Sequence, residues 1–251
     1  MTSKIKLPPR LKTIAGYIEN GAVVADVGTD HGLLPVYLAQ NKLARRIIAS
    51  DVSPESLKSA MRTATGSGVT DMIDFVVADG LTGLDEKIID AVVAAGMGGE
   101  TIAGILEAAA WTKDPRVRLI LQPQSKTSEL CRWLRANGYA VRDAELAFDN
   151  GRYYAIIIAG GEVCAEFKGH AGSGSEAEGH GTSDRLEPEI ELLAVLKKKH
   201  DPLFSGYLEE QIRRTHKAVA GMKNSKAPDN TGLKSAYRKL SELIKLRVES
   251  H

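Results

Sequence analysis

Between residues 22 and 137 the chain repeats one pattern: a short apolar run, a loop, then an amphipathic run of helical period. Apolar runs of about four to eight residues bounded by turn residues read as buried strands. Where helices alternate with them, successive strands run parallel and helices cover both faces of the sheet. Strands are predicted at 22–27, 46–50, 73–78, 88–95 and 117–122. The unbroken apolar character of 88–95 suits a central strand. Helices are predicted at 33–41, 101–110 and 125–137, and another opens at Ser53 as N-cap with Pro54 at N1. Gly138 closes the 125–137 helix at the C′ position.

After Gly138 the rhythm changes. Residues 139–148 and 152–159 read as strands, with Asp149, Asn150 and Gly151 between them. Asn-Gly between apolar runs is a strong hairpin signal. Residues 169–183 follow as a linker, since eight of the fifteen are Gly or Ser and the few charges have no apolar company. Three helical patterns come next, at 184–200, 203–223 and 233–248, broken by Asp201-Pro202 and by 226–232. Leu203, Tyr207, Leu208, Ile212, Thr215 and Val219 share one helical face, and Leu233, Tyr237, Leu240, Ile244 and Val248 share another. The expected pairing is an antiparallel helical hairpin or short coiled coil. The division expected is a sheet domain over 1–165, a flexible linker over 166–183 and a helical domain over 184–251.

Composition excludes several classes. No apolar run reaches the roughly eighteen residues of a membrane span, and residues 1–12 lack the apolar core of a secretory signal. The two cysteines, Cys131 and Cys164, have neither disulfide nor metal-ligand spacing, so a reducing cytoplasm is expected. His170 and His180 have no partner ligands nearby, and no metal site is assigned. The net charge of +1 is unevenly spread. From Lys197 onward there are thirteen Lys and Arg against six Asp and Glu, and before it twenty against twenty-six. Lys4, Lys6, Arg10 and Lys12 form a basic start with no acid. A basic arm and tail offer a polyanion two contacts, though two solvated helical faces account for the charge equally well.

The chemistry concentrates at strand ends, where ligands sit in open α/β sheets. Asp26, Gly28, Asp30, His31 and Gly32 make the first strand-to-helix loop. Gly28 lets the backbone turn and approach a ligand. A pyrophosphate would want amides and a third glycine here. Asp26, Asp30 and His31 suit a cation carrying an ammonium and a sulfonium better. The plain alternative is a tight turn with Asp30 as N-cap. Asp51, 23 residues after Gly28, is placed to accept hydrogen bonds from ribose hydroxyls, which says adenosine without choosing a cofactor. Asp79-Gly80 follows the third strand, where a carboxylate accepts from the adenine amine; alone it would read as a turn. Gly96, Met97, Gly98 and Gly99 follow the fourth strand and suggest backbone approaching cofactor or base, or a packed helix start. Gln122, Pro123 and Gln124 follow the fifth, and glutamine can read an adenine edge by paired hydrogen bonds. Of Tyr153 and Tyr154 only one can face the core, and Trp111 and Trp133 are expected to pack.

The segments ADVGTDHGLLPVYLA, AAGMGGETI, LILQPQ, GRYYAIIIA and KLPPRL together resemble the bacterial tRNA (adenine-22-N1)-methyltransferase family over residues 4 to about 160. PLFSGYLEEQI adds weaker support. The resemblance implies an α/β fold: a doubly wound, mostly parallel, seven-stranded Rossmann-like methyltransferase sheet with a C-terminal helical, coiled-coil-like domain. It implies S-adenosylmethionine as cofactor and tRNA as partner, with no membrane, no metal and a monomeric protein. Cofactor residues are then Asp26, Gly28, Thr29, His31, Asp51, Val52, Asp79, Gly80, Gly96 and Met97. Asp30 is the catalytic candidate. Lys6, Arg10, Leu33, Pro35, Gly98, Gly99, Gln122, Pro123, Gln124 and Tyr153 form the substrate set. Leu33 stands where many relatives have an aromatic residue, and Gln124 where asparagine is expected. Three other readings stay open: a small-molecule methyltransferase, a nicotinamide-dependent oxidoreductase, and a non-catalytic RNA-binding module that keeps the cofactor fold.

Overall fold

The structure, a computed structural model, describes residues 4–161, 188–223 and 230–249. The Gly/Ser-rich stretch at 169–183, the 166–183 linker and the start of the helical region at 184 lie outside them. Helices α1 (Pro9–Gly16), α2 (Leu33–Gln40), α3 (Pro54–Ser67), α4 (Gly99–Glu107) and α5 (Thr127–Ala136) alternate with strands β1 (Ala22–Val27), β2 (Ala44–Asp51), β3 (Ile73–Val77), β4 (Ala91–Gly98) and β5 (Arg118–Ser125). Strands β6 (Tyr139–Asp149) and β7 (Arg152–Gly161) follow, then α6 (Pro188–Lys198), α7 (Phe204–Lys223) and α8 (Asn230–Val248).

The sheet has seven strands in the order β3-β2-β1-β4-β5-β7-β6. Pairs from β3 through β5 are parallel, and β7 lies antiparallel to both neighbours. The order reverses between β1 and β4, which opens a crevice at their carboxyl ends. Asn150 and Gly151 join β6 to β7 with φ of 48° and 75°. Both signs are positive, as an Asn-Gly hairpin turn requires.

Alternation along the strands sends residues to opposite faces. Val23, Ala25 and Val27 join a core with α4, α5, α6 and α7, whereas Ala22 and Val24 join one with α1, α2 and α3. Leu192, Leu193, Tyr207 and Leu208 are buried in the same cluster as Leu119 and Leu121, so the appended helices extend the sheet's own core. Trp111 and Trp133 are partly buried against it, and Trp133 stacks on Tyr139 with ring centroids 5.7 Å apart. Burial pushes the Cys131 thiol up to about 12, so it is an inert core group.

Four expectations need correction. The basic N-terminal arm contains a helix, α1, with Pro9 in its first turn and Ile14 fully buried. Proline fits that position because its missing N–H needs no partner there. Strand β4 begins at Ala91, three residues later than expected, because Asp90 instead ties the β1 start, its carboxylate accepting from Val23 N at 2.8 Å. It then runs on to Gly98, since β4 and β5 keep pairing through irregularities around Met97. Lastly, the packed face of α8 is turned: Leu243 is fully buried, while Tyr237, Ile244 and Val248 are exposed.

Candidate active site

The carboxyl ends of β1 and β2 are stitched together by backbone. Gly28, at φ 70°, turns the chain so that its N–H and that of Thr29 both donate to Ser50 O, at 2.8 and 3.0 Å. Asp51 joins two loops: Oδ2 accepts from Asp30 N at 3.2 Å and Oδ1 from Ser53 N at 2.9 Å. Ser53 caps α3 by accepting from Ser56 N. The N-cap of α2 is Gly32 in a left-handed conformation, so Asp30 is free of that duty. Asp30 itself holds φ 50°, with its carboxylate exposed and 3.7 Å from His31 Nε2. His31 Nδ1 lies 3.0 Å from Ser59 Oγ on α3.

Asp26 is buried. Burial pushes its carboxyl up to about 6, the Asp51 charge adds to this, and the Thr29 hydroxyl beside it pulls the other way. Thr29 Oγ1 is nonetheless buried without a partner at hydrogen-bonding geometry among the described residues. A buried carboxylate and an orphaned hydroxyl at a strand end suit a polar, cationic ligand. Next to Asp51, Val52 is 69% exposed, and Val77, the register partner of Asp51 on β3, is 59% exposed. Apolar side chains bared beside a carboxylate suit the flat face of a heterocyclic ring. Asp79 is exposed at the end of β3, and Gly80, at φ 61°, packs its backbone on Ile105 of α4.

The β4 and β5 ends form the other side. A Cβ on Gly28 would lie 2.8 Å from Met97 Cε, so the β1 and β4 loops touch. Gly96 has φ 81°, and the point where its Cβ would stand is 3.7 Å from Gln124 Nε2 and 3.8 Å from an Arg10 guanidinium nitrogen. Arg10 donates to Gln122 Oε1 at 3.1 Å, approaches Asp149 at 3.9 Å and stands 6.0 Å from the Tyr154 ring. Arg10 thus braces this rim instead of extending as a free phosphate contact; Lys6 stays exposed.

The substrate set divides. Gln122 is fully buried, its oxygen taken by Arg10 and its nitrogen donating to Pro123 O at 3.0 Å, so it cannot read a base edge with both atoms. Gln124 is exposed. Pro35 is buried, so it forms no part of the rim, and Leu33 is half-buried, packed on the core. Tyr153 turns toward α7, its ring 6.3 Å from that of Tyr207. With Pro123 and Gln124 it lines a cleft of about 520 Å³ between β5, α5, α7 and α8. Gly98 is the N-cap of α4. Gly99 is a packing glycine, since any Cβ there would overlap the Lys126 carbonyl oxygen. Gly99→Ala should therefore cost about 2 kcal/mol, read as a lowered thermal midpoint. Asp149, Tyr154 and Val77 were not foreseen. Nothing in the local sequence marks Asp149 or Tyr154, because their role depends on Arg10 arriving from the first helix.

The pattern of the methyltransferase-domain family matches residues 7–157. The chain belongs to that family. Within it, this methyltransferase is 38% identical to the tRNA (adenine(22)-N(1))-methyltransferase of Bacillus subtilis over 157 residues, 62% of this chain and 66% of that protein. The aligned segment thus spans about two thirds of that relative. The crystal structure of the B. subtilis m1A22 tRNA methyltransferase TrmK matches with a TM-score of 0.78 at 29% identity, covering 97% of this chain and all of that one. The M. capricolum TrmK bound to S-adenosyl-homocysteine shares the fold, with a TM-score of 0.72 at 24% identity over 98% and 99% of the two chains. Both likenesses extend past the matched family segment into the helices of this methyltransferase. Among its described residues no helix is long and apolar enough to cross a membrane, and no group of three His, Cys, Asp or Glu could hold a metal.

Proposed function

We propose that this methyltransferase transfers a methyl group from S-adenosylmethionine to ring N1 of an adenine in tRNA, at position 22 by likeness to its relatives. The observation that carries the reading is the 38% identity to a tRNA (adenine(22)-N(1))-methyltransferase over 157 residues. When bound, S-adenosylmethionine supplies an electrophilic methyl on a sulfonium. Asp26 and Thr29 would hold its charged amino-acid end, Asp51 its ribose hydroxyls, and Asp79 with Val52 and Val77 its adenine. Adenine N1 is a lone-pair nucleophile that needs no prior deprotonation. Catalysis is then mainly alignment and exclusion of water. The methylated ring is cationic, and Asp30, on the rim, would oppose that charge. The target base must leave the tRNA stack to reach this crevice. We place the protein in the cytoplasm as a monomer acting on free tRNA.

The test is incubation with methyl-labelled S-adenosylmethionine and bulk tRNA, followed by nucleoside mapping. N1-methyladenosine at position 22 is expected. Label confined to small molecules, or to another atom of the RNA, overturns the reading. Calorimetric titration with S-adenosylmethionine and with NAD checks the cofactor independently, and heat with NAD alone would restore the oxidoreductase alternative.

A further inference from the structure

We propose that Gln124 reads the target adenine, and that it does so on the Hoogsteen edge, through N6 and N7. The proposal rests on the functional reading above and names how that site recognises its base. Two glutamines flank Pro123, and by residue type either serves. The fold separates them. Gln122 has its oxygen bonded to Arg10 and one amide hydrogen to Pro123 O, in a fully buried position. Arg10 can only donate and a carbonyl can only accept, so the orientation of the Gln122 amide is fixed. Gln124 is exposed at the mouth of the cleft, beside the bare backbone of Gly96 where β4 and β5 end.

The reaction decides which edge is read. N1 must aim its lone pair at the methyl group, so no protein donor can occupy it. The Watson–Crick edge faces the donor, and identity has to be read on the other side of the ring. There adenine offers an N6–H donor beside the N7 acceptor, and a carboxamide matches both at once. Guanine puts an acceptor in place of the N6 donor and would face the glutamine oxygen. Acceptance from N6–H strengthens as the ring becomes cationic, so that half of the contact favours the transition state, while donation to N7 weakens and serves to identify the base. Arg10 does not serve this role, because a guanidinium against a ring gaining positive charge is repelled. Its bond to Gln122 and approach to Asp149 keep it on the protein.

The test compares single-turnover methylation of tRNA carrying adenosine or 7-deazaadenosine at the target position. 7-Deazaadenosine keeps N1 and N6 and lacks N7. Wild-type protein should lose about tenfold on the analogue. Gln124→Leu should lose at least as much on adenosine and nothing further on 7-deazaadenosine. Equal wild-type rates on the two RNAs overturn the proposal, as do losses from variant and analogue that multiply. Where that variant fails to fold, Gln124→Glu, which keeps the accepting oxygen and lacks the donor to N7, takes its place and should lose on adenosine but not further on 7-deazaadenosine. Absence of methylation on the adenosine RNA is a different result, and removes the functional reading itself.

Discussion

Asp26→Asn is expected to make the protein harder to melt at pH 8 and unable to hold its methyl donor. The Asp26 carboxyl titrates near 6 in the folded chain, above its ordinary value of 3.8, because burial disfavours the charge. A raised pKa in the folded state means that folding is helped by protonation. That help is fully present below the ordinary value and is lost as pH rises through 6. At pH 8 the fold must keep a charge away from water, at a cost of about 2 to 3 kcal/mol. Asparagine has the same shape without the charge, so the thermal midpoint at pH 8 should rise by about 5 to 10 °C. At pH 4 the gain should vanish. Donor affinity should fall about a hundredfold or more, since the cationic ligand loses its buried counter-charge. In the wild type the same affinity should weaken as pH falls through 6. Thermal melts at the two pH values and calorimetric titration check both halves. A lowered midpoint at pH 8, or unchanged affinity, removes Asp26 from this role.

Asp30→Ala should lower single-turnover methylation of full-length tRNA by about a hundredfold or more, with donor affinity changed only a few-fold. The geometry separates this residue from Asp26. Its backbone N–H is fixed on Asp51, while its carboxylate is 69% exposed at the rim. A group held by its main chain and open through its side chain can face the substrate without supporting the fold. Its φ of 50° belongs to the region that favours glycine, so Asp30→Gly should leave stability unharmed and serve as a control for folding. Near wild-type turnover of both variants would leave Asp30 without a part in the chemistry.

What was readable beforehand followed from local rules. Parallel strands place their carboxyl ends on one edge, so Asp26, Asp51 and Asp79 could be assigned to a common crevice from their positions alone. Ser53-Pro54 and Asn150-Gly151 announced a helix start and a hairpin, because each pair has strong backbone preferences. What was hidden depends on distant partners. The bond of Arg10 to Gln122 spans 112 residues, and only that bond tells Gln122 from Gln124. The continuation of β4 through Gly96 and Met97 needs β5 alongside, since glycines carry no strand signal of their own. The packed face of α8 is hidden in the sequence because Leu240, Leu243, Ile244 and Leu246 give that helix two overlapping apolar stripes, and packing selects the one through Leu243.

Helix α1 lays Ile14 in the same apolar cluster as Ala147, Ile156 and Ile158 of the closing hairpin, and its far end sets the Tyr17 hydroxyl between Glu145 and Lys199. The Tyr17–Glu145 bond spans 128 residues, and contacts this distant in sequence cost loop entropy before they stabilise anything. Docking of α1 also sets Arg10 beside Gln122 and Asp149, so the crevice wall is complete only when helix and hairpin are packed together.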